Sequence, residues 1–194
     1  MTGYAPLTAL VVVDLQNDFA DPRGSLYVRG GEEIVPFANE QIEAAVRAGS
    51  PVLYTQDWHP ESTPHFQKDG GIWPVHCVQR TWGAAFCPGL RIDGPAVRKG
   101  VDGRDGYSGF SVRDPLSGDV AATELDRLLR ERGVTRIAIA GVATDYCVVE
   151  TTLDARRLGY QVTVLAEGIR AVDRSPGDGE RALERMREAG AQIV

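Results

Sequence analysis

Asp57, His59, His65 and His76 fall within one stretch of the chain, and the last three are all the histidines it has. A carboxylate with several imidazoles is the donor set of a divalent transition metal such as Zn, Mn or Fe. A single histidine is more often a loop residue, or a core residue with its hydrogen bonds made, than a ligand. Three beside an aspartate, in a chain with no others, weigh toward a metal centre. Asp-x-His puts two donors at one point, and the other two reach it only if the loop folds back.

A second group carries different chemistry. Cys147 lies in "GVATDYCVVETTLDA", residues 141–155. Free cysteine is usually buried and inert, and it becomes a nucleophile only as a thiolate, which a base, a cation or a helix N-terminus can supply. The predicted helix places Cys147 in its first turn, where the dipole favours an anion. If all three histidines bind metal, none remains as base. An aspartate and a lysine must then replace the usual histidine partner, and Asp14 and Lys99 are the candidates. Spacing alone allows Asp14 as a turn or cap residue and Lys99 as a solvated charge. Phe19, Trp73 and Tyr107 share the loops of the candidate ligands and suit either pocket walls or core anchors.

These groups need a scaffold, and its pattern recurs four times. "AAVRAGSPVLYT", "LLRERGVTRIAIAG", "DARRLGYQVTVLAEG" and "RMREAGAQIV" each run from an amphipathic stretch through a glycine to a short apolar run. Gly49, Gly133, Gly159 and Gly190 sit where a helix ends in a left-handed residue. Basic residues crowd the turns before three of them, as the helix dipole prefers. With Ala9–Val13 as first strand, the alternation predicts a parallel sheet flanked by helices. Ligands of such sheets lie beyond the carboxyl ends of the strands. Asp14 closes strand one, Asp57 strand two, and Thr144–Cys147 follows a strand over Arg136–Ala140, so three candidate groups share one sheet edge. From Gln56 to Gly118 the alternation lapses into a long structureless insertion rich in Pro, Gly and aromatics, which in a compact domain is usually functional. Within it, "GVDGRDGYSG" reads as an irregular loop of tight turns.

The 194 residues are 43% hydrophobic and carry a net charge of −6, enough for one domain with a proper core. No basic cluster offers nucleic acid a footing, and no phosphate-cradling GxxxxGK[ST] or GxGxxG occurs. The opening "MTGYAPLTALVVVDLQND" lacks the features of a secretory signal, and its apolar run is too short to span a bilayer. Three cysteines cannot all pair internally, which fits a reducing, cytoplasmic setting. The C-terminal "DGERALERMREAG" reads as a solvated amphipathic helix.

Together, "VVVDLQNDF", "DWHPESTPHF", "WPVHC", "KG…YSGF" and "GVATDYCV" resemble, in this order and over essentially the whole chain, the nicotinamidase/pyrazinamidase branch of the isochorismatase-like cysteine hydrolases. The resemblance implies a single domain over 1–194 with a three-layer α/β/α, Rossmann-like architecture and a mainly parallel central sheet. It implies hydrolysis of nicotinamide to nicotinate and ammonia, and of pyrazinamide to pyrazinoate, through a thioester, in NAD salvage. Asp14, Lys99 and Cys147 match the catalytic residues. Asp57, His59 and His76 match the common metal ligands, and His65 matches a fourth ligand of the mycobacterial type. Phe19 and Trp73 match the aromatics around the pyridine ring, and Tyr107 a further pocket residue. Val142–Ala143 corresponds to a cis peptide that aims N–H groups at the substrate, with Ala143 and Cys147 holding the oxyanion. The implied cofactor is one divalent metal, zinc first, with iron and manganese open. Partners reduce to the small-molecule substrate, without nucleic acid or membrane, and a homo-oligomer is left open. A ureido- or carbamoyl-hydrolase of the same superfamily would generally lack the Asp-x-His set. A non-catalytic metal-binding domain would bind metal without turnover.

Overall fold

Thr8–Val13 (β1) and Arg136–Val142 (β6) are apolar almost without interruption because both faces of each strand are covered. Alternate side chains part to opposite sides. Ala9, Val11 and Val13 join one core with Ile137, Ile139 and Val164, whereas Leu10 and Val12 join a second with Ala138, Ala140 and Leu165. Each valine, leucine or isoleucine among them contributes about 1.5–3 kcal/mol by leaving water. The structure, a computed structural model, describes residues 4–194. Residues 1–3 of the expected 1–194 domain lie outside the described residues.

Six strands form the central sheet in the order β3-β2-β1-β6-β7-β8, with β2 at Val52–Asp57, β3 at Ala96–Lys99, β7 at Gln161–Arg170 and β8 at Gln192–Ile193. All five pairings are parallel. A short helix α1 (Asn17–Ala20) follows β1, and α2 (Ile34–Arg47) packs on one face through Ile34, Ala38 and Ile42. On the other face lie α3 (Leu125–Arg130), α4 (Val149–Arg157) and α5 (Asp178–Glu188), through Leu125, Leu129, Val149 and Met186. The three-layer α/β/α expectation is therefore met. Gly49, Gly133, Gly159 and Gly190 all have the positive φ expected of helix ends. Among the described residues no helix is long and apolar enough to cross a membrane.

One expectation needs correction. The stretch from Gln56 to Gly118 is not structureless: it holds β3 at the sheet edge, and Ser111–Arg113 (β4) pairs antiparallel with Val120–Ala122 (β5). β3 escaped notice because an edge strand alternates. Ala96 and Arg98 are exposed while Val97 and Lys99 are buried, so it lacks the continuous apolar run of the inner strands.

Candidate active site

The strand order brings the candidate groups together. β3, β2, β1 and β6 are neighbours, and their carboxyl ends carry Lys99, Asp57, Asp14 and Val142 in turn. Asp57 and Lys99 are register partners. Beyond β6, Thr144–Val148 form one π turn that leads into α4 and presents Cys147.

Lys99 comes from the outermost of these strands, is 1% exposed, and reaches inward along the edge. Its Nζ lies 2.9 Å from Asp14 Oδ2, forms a second ion pair with Asp57 Oδ1, and donates to Cys147 Sγ at 3.5 Å. Thr55 Oγ1 donates to Asp14 Oδ1 at 2.6 Å. Oδ2 has no well-aligned hydrogen bond, because the Lys99 approach is close but off-axis. Carboxylate and thiol are close enough to exchange a proton after modest tightening, since oxygens of Asp14 and Asp57 and the Cys147 sulfur lie within 4.8 Å of one another.

Burial raises the Asp14 carboxyl above its ordinary value, with the Lys99 ammonium pulling the other way. Burial also pushes the Cys147 thiol up; Lys99 offsets this only in part, and Asp14 and Asp57 add to it. The thiol is therefore protonated at rest. For Lys99 burial works against the charge, but the two carboxylates outweigh it and hold the ammonium well above the ordinary lysine value. Cys77 and Cys87 are also raised, Cys87 to about 12, both chiefly by burial. A shifted thiol thus does not single out Cys147; the adjoining Lys99 and Asp14 do.

Beside this trio, His59, His65 and His76 each turn one nitrogen toward a common point, with those atoms within 4.8 Å of one another. Asp57 Oδ2 is 3.8 Å from both His59 Nε2 and His76 Nε2. Donors bound to one ion at about 2.1 Å stand at most about 4.2 Å apart, so the two 3.8 Å aspartate–histidine separations suit a shared ion. His76 Nδ1 bonds the Pro74 carbonyl at 2.7 Å and His65 Nδ1 pairs with Asp105 Oδ1 at 2.7 Å. The Nε2 atoms of both rings are left for the centre. His59 is 2% exposed, yet neither of its nitrogens has a hydrogen-bond partner. Two orphaned buried nitrogens are costly unless an ion takes one of them. Burial lowers His76 to about 4, which keeps the ring neutral and able to ligate. Burial opposes the Asp57 charge too, but Lys99 and then His59 hold its carboxyl well below the usual range. The donor set fits a divalent metal.

A side chain at 100 would spoil this corner. Gly100 has φ +81°, and a Cβ there would stand 2.7 Å from His59 Nδ1.

A small cavity opens onto both groups, lined in part by Asp57, His65, His76 and Cys147. Asp14, Lys99 and His59 lie behind its wall. Phe19, Trp73 and Tyr107 all line it, with Trp73 Nε1 donating to the Tyr107 hydroxyl at 3.0 Å. The Val142–Ala143 peptide is cis, and both residues line the cavity.

Four further residues have a part here that their own sequence positions do not announce as a group. Tyr146 packs edge-on against Trp73 and Tyr107, at 4.9 and 5.3 Å between ring centroids. Its place next to Cys147 was the available signal. Gln16 brackets Asp57, accepting from its N–H at 2.8 Å and donating to its carbonyl at 2.7 Å. Thr55 and Asp105 act across the fold, and nothing local to them announces it.

With this geometry in view, the comparisons are consistent with one another. The family model described as the isochorismatase domain matches residues 8–194. The nicotinamidase of Escherichia coli is 37% identical over 206 residues, covering 97% of this chain and 94% of its own. The pyrazinamidase of Pyrococcus horikoshii, solved in complex with zinc, superposes with a TM-score of 0.86 at 42% identity and covers 97% and 99% of the two chains. PnC1 of L. infantum, solved with nicotinate, gives 0.85 at 36% identity and covers 96% and 91%. Fold, site geometry and sequence thus agree that this chain belongs to the isochorismatase family.

Proposed function

We propose that the chain is a metal-dependent cysteine amidohydrolase that converts nicotinamide to nicotinate and ammonia. The observation that carries this is the single cavity shared by an Asp14–Lys99–Cys147 cluster and an aspartate–histidine metal set. Relatives named for nicotinamide hydrolysis, and a neighbour solved with nicotinate, support the substrate. Phe19, Trp73 and Tyr107 form walls suited to a flat ring, and pyrazinamide fits the same description.

Asp57, His59, His65 and His76 would hold the ion, with zinc favoured by the imidazole-rich set and by the zinc-bound neighbour. An ion held there would supply Lewis acidity toward a ring nitrogen, which would help orient the carboxamide. Asp14 Oδ2 takes the thiol proton as Cys147 Sγ attacks the carbonyl carbon. Burial raises the Asp14 carboxyl, which makes its carboxylate a stronger base toward the thiol than an ordinary one. Lys99 keeps its proton throughout and stabilises both the carboxylate and the forming thiolate. The N–H groups of Ala143 and Cys147 hold the oxyanion, and one such donor lowers the barrier by about 3 kcal/mol. Asp14 returns the proton to the departing ammonia, leaving a thioester on Cys147. Water then attacks the thioester carbonyl, giving its proton to Asp14. Nicotinate leaves as the thiolate recovers a proton. Three unpaired thiols at Cys77, Cys87 and Cys147 support a reducing, cytoplasmic setting, and release of nicotinate from nicotinamide would serve NAD salvage.

The test is ammonia release from nicotinamide by the purified protein, with Cys147→Ala beside it and the metal content of both recorded. Turnover by the wild type alone, with about one equivalent of metal, is expected. Metal without turnover on nicotinamide or pyrazinamide would defeat the proposal, and turnover of ureido substrates instead would identify its replacement.

A further inference from the structure

Of the three histidines at the metal centre, His65 alone is backed by a charged side chain. Its Nδ1 lies 2.7 Å from Asp105 Oδ1, and the imidazole is 5% exposed against 36% for the carboxylate. Two features hold Asp105 in place. Its backbone forms an antiparallel bridge with Arg113, giving N–H to O=C bonds of 2.7 and 2.5 Å. Its Oδ1 also accepts from the Gly106 N–H at 2.7 Å. Gly106 itself, at φ +145°, disfavours a side chain, because a Cβ would press tightly on Ser111 O and Val112 Cα at 3.0 and 3.1 Å. The carboxylate is therefore anchored from β4, an element that contributes nothing else to the centre.

A ligating imidazole needs its second nitrogen fixed, so that the ring presents a lone pair in the right plane. His76 obtains this from the Pro74 carbonyl two residues away. His65 has no such local partner and depends on a loop forty residues later in the chain. We infer that Asp105 is the positioning residue that makes His65 a working fourth ligand, by holding Nδ1–H so that Nε2 faces the ion. The carboxylate also makes the imidazole a stronger donor. The inference rests on reading the aspartate–histidine set as a metal centre, but not on the reaction carried out there.

The test is a titration of the metal-stripped full-length protein with Zn²⁺ alone, against a chromophoric chelator, without substrate. Asp105→Ala should weaken Zn²⁺ binding about 10- to 100-fold, and His65→Ala by at least as much. In the His65→Ala background, Asp105→Ala should add less than about twofold, because its effect passes through the missing ring. Asp105→Asn keeps an acceptor for both N–H groups without the charge and should lose less than Asp105→Ala. It also serves as the readout if the alanine variant fails to fold. An unchanged Zn²⁺ constant in Asp105→Ala, equal losses with and without His65, or no Zn²⁺ binding by the wild type would each overturn the assignment. Normal Zn²⁺ behaviour in a protein inactive on nicotinamide would leave it standing while removing the proposed reaction.

Discussion

The two halves of the cavity are built in opposite ways. The Asp14–Lys99–Cys147 half stands on strand ends and a helix start, and its charges neutralise one another without outside help. The histidine half hangs largely on the loop between β2 and β3, and His59 is left without a partner for either nitrogen. The first half is complete as folded. The second is complete only with a ligand. Asp57 belongs to both, meeting Lys99 through Oδ1 and the histidines through Oδ2. One carboxylate thus couples the rigid half to the dependent one, and each half can be broken separately to show it.

The largest effect should come from the sulfur. Cys147→Ala should lower turnover at least about ten-thousandfold while leaving the near-UV circular dichroism intact, because it removes the nucleophile and little volume. A variant retaining a tenth of the activity would remove Cys147 from the chemistry.

Lys99→Met comes next. It leaves two buried carboxylates facing each other and should cost about 3–5 kcal/mol in urea unfolding at neutral pH, with activity lost. The sign of its pH dependence follows from the raised folded value of Lys99. Its stabilisation is fully present below the ordinary lysine value of 10.5 and is lost as pH rises through the higher folded value. The gap between wild type and Lys99→Met should therefore narrow in strongly alkaline solution. A gap that widens there contradicts the buried pairs.

For the dependent half, the lever is the ion itself. Zn²⁺ at about 100 times its dissociation constant should stabilise the stripped protein by about 2.7 kcal/mol, raising the melting temperature by roughly 5–10 °C for a chain of this size. Calorimetry with and without a chelator measures this. A melting temperature indifferent to Zn²⁺ would mean that the histidines satisfy themselves without it.

The smallest effect sharpens the first half. Thr55 Oγ1, at 2.6 Å, favours the ionised form of Asp14, against the burial that raises it. Thr55→Val should therefore move the acid limb of kcat/KM to higher pH, with the plateau little changed. A limb that stays or moves down would show that Asp14 does not set it.

What could be read along the chain was whatever local rules govern. Helix-ending glycines, inner strands apolar on both faces, and the group closing each strand placed Asp14, Asp57 and Cys147 at one sheet edge before any coordinates. Donor type and shared loop added His59, His65 and His76. Lys99 illustrates the limit. In sequence it is a charge on an alternating stretch with no apolar run, and only the pairing of β3 beside β2 takes it out of water and sets it between two carboxylates. Asp105 and Gln16 are similar: each acts on a residue some forty positions away, through a hydrogen bond that no periodicity encodes. Local propensity and capping act over a few residues and leave marks in composition. Strand order and loop return act over the whole chain, and they alone turned a set of plausible groups into one cavity.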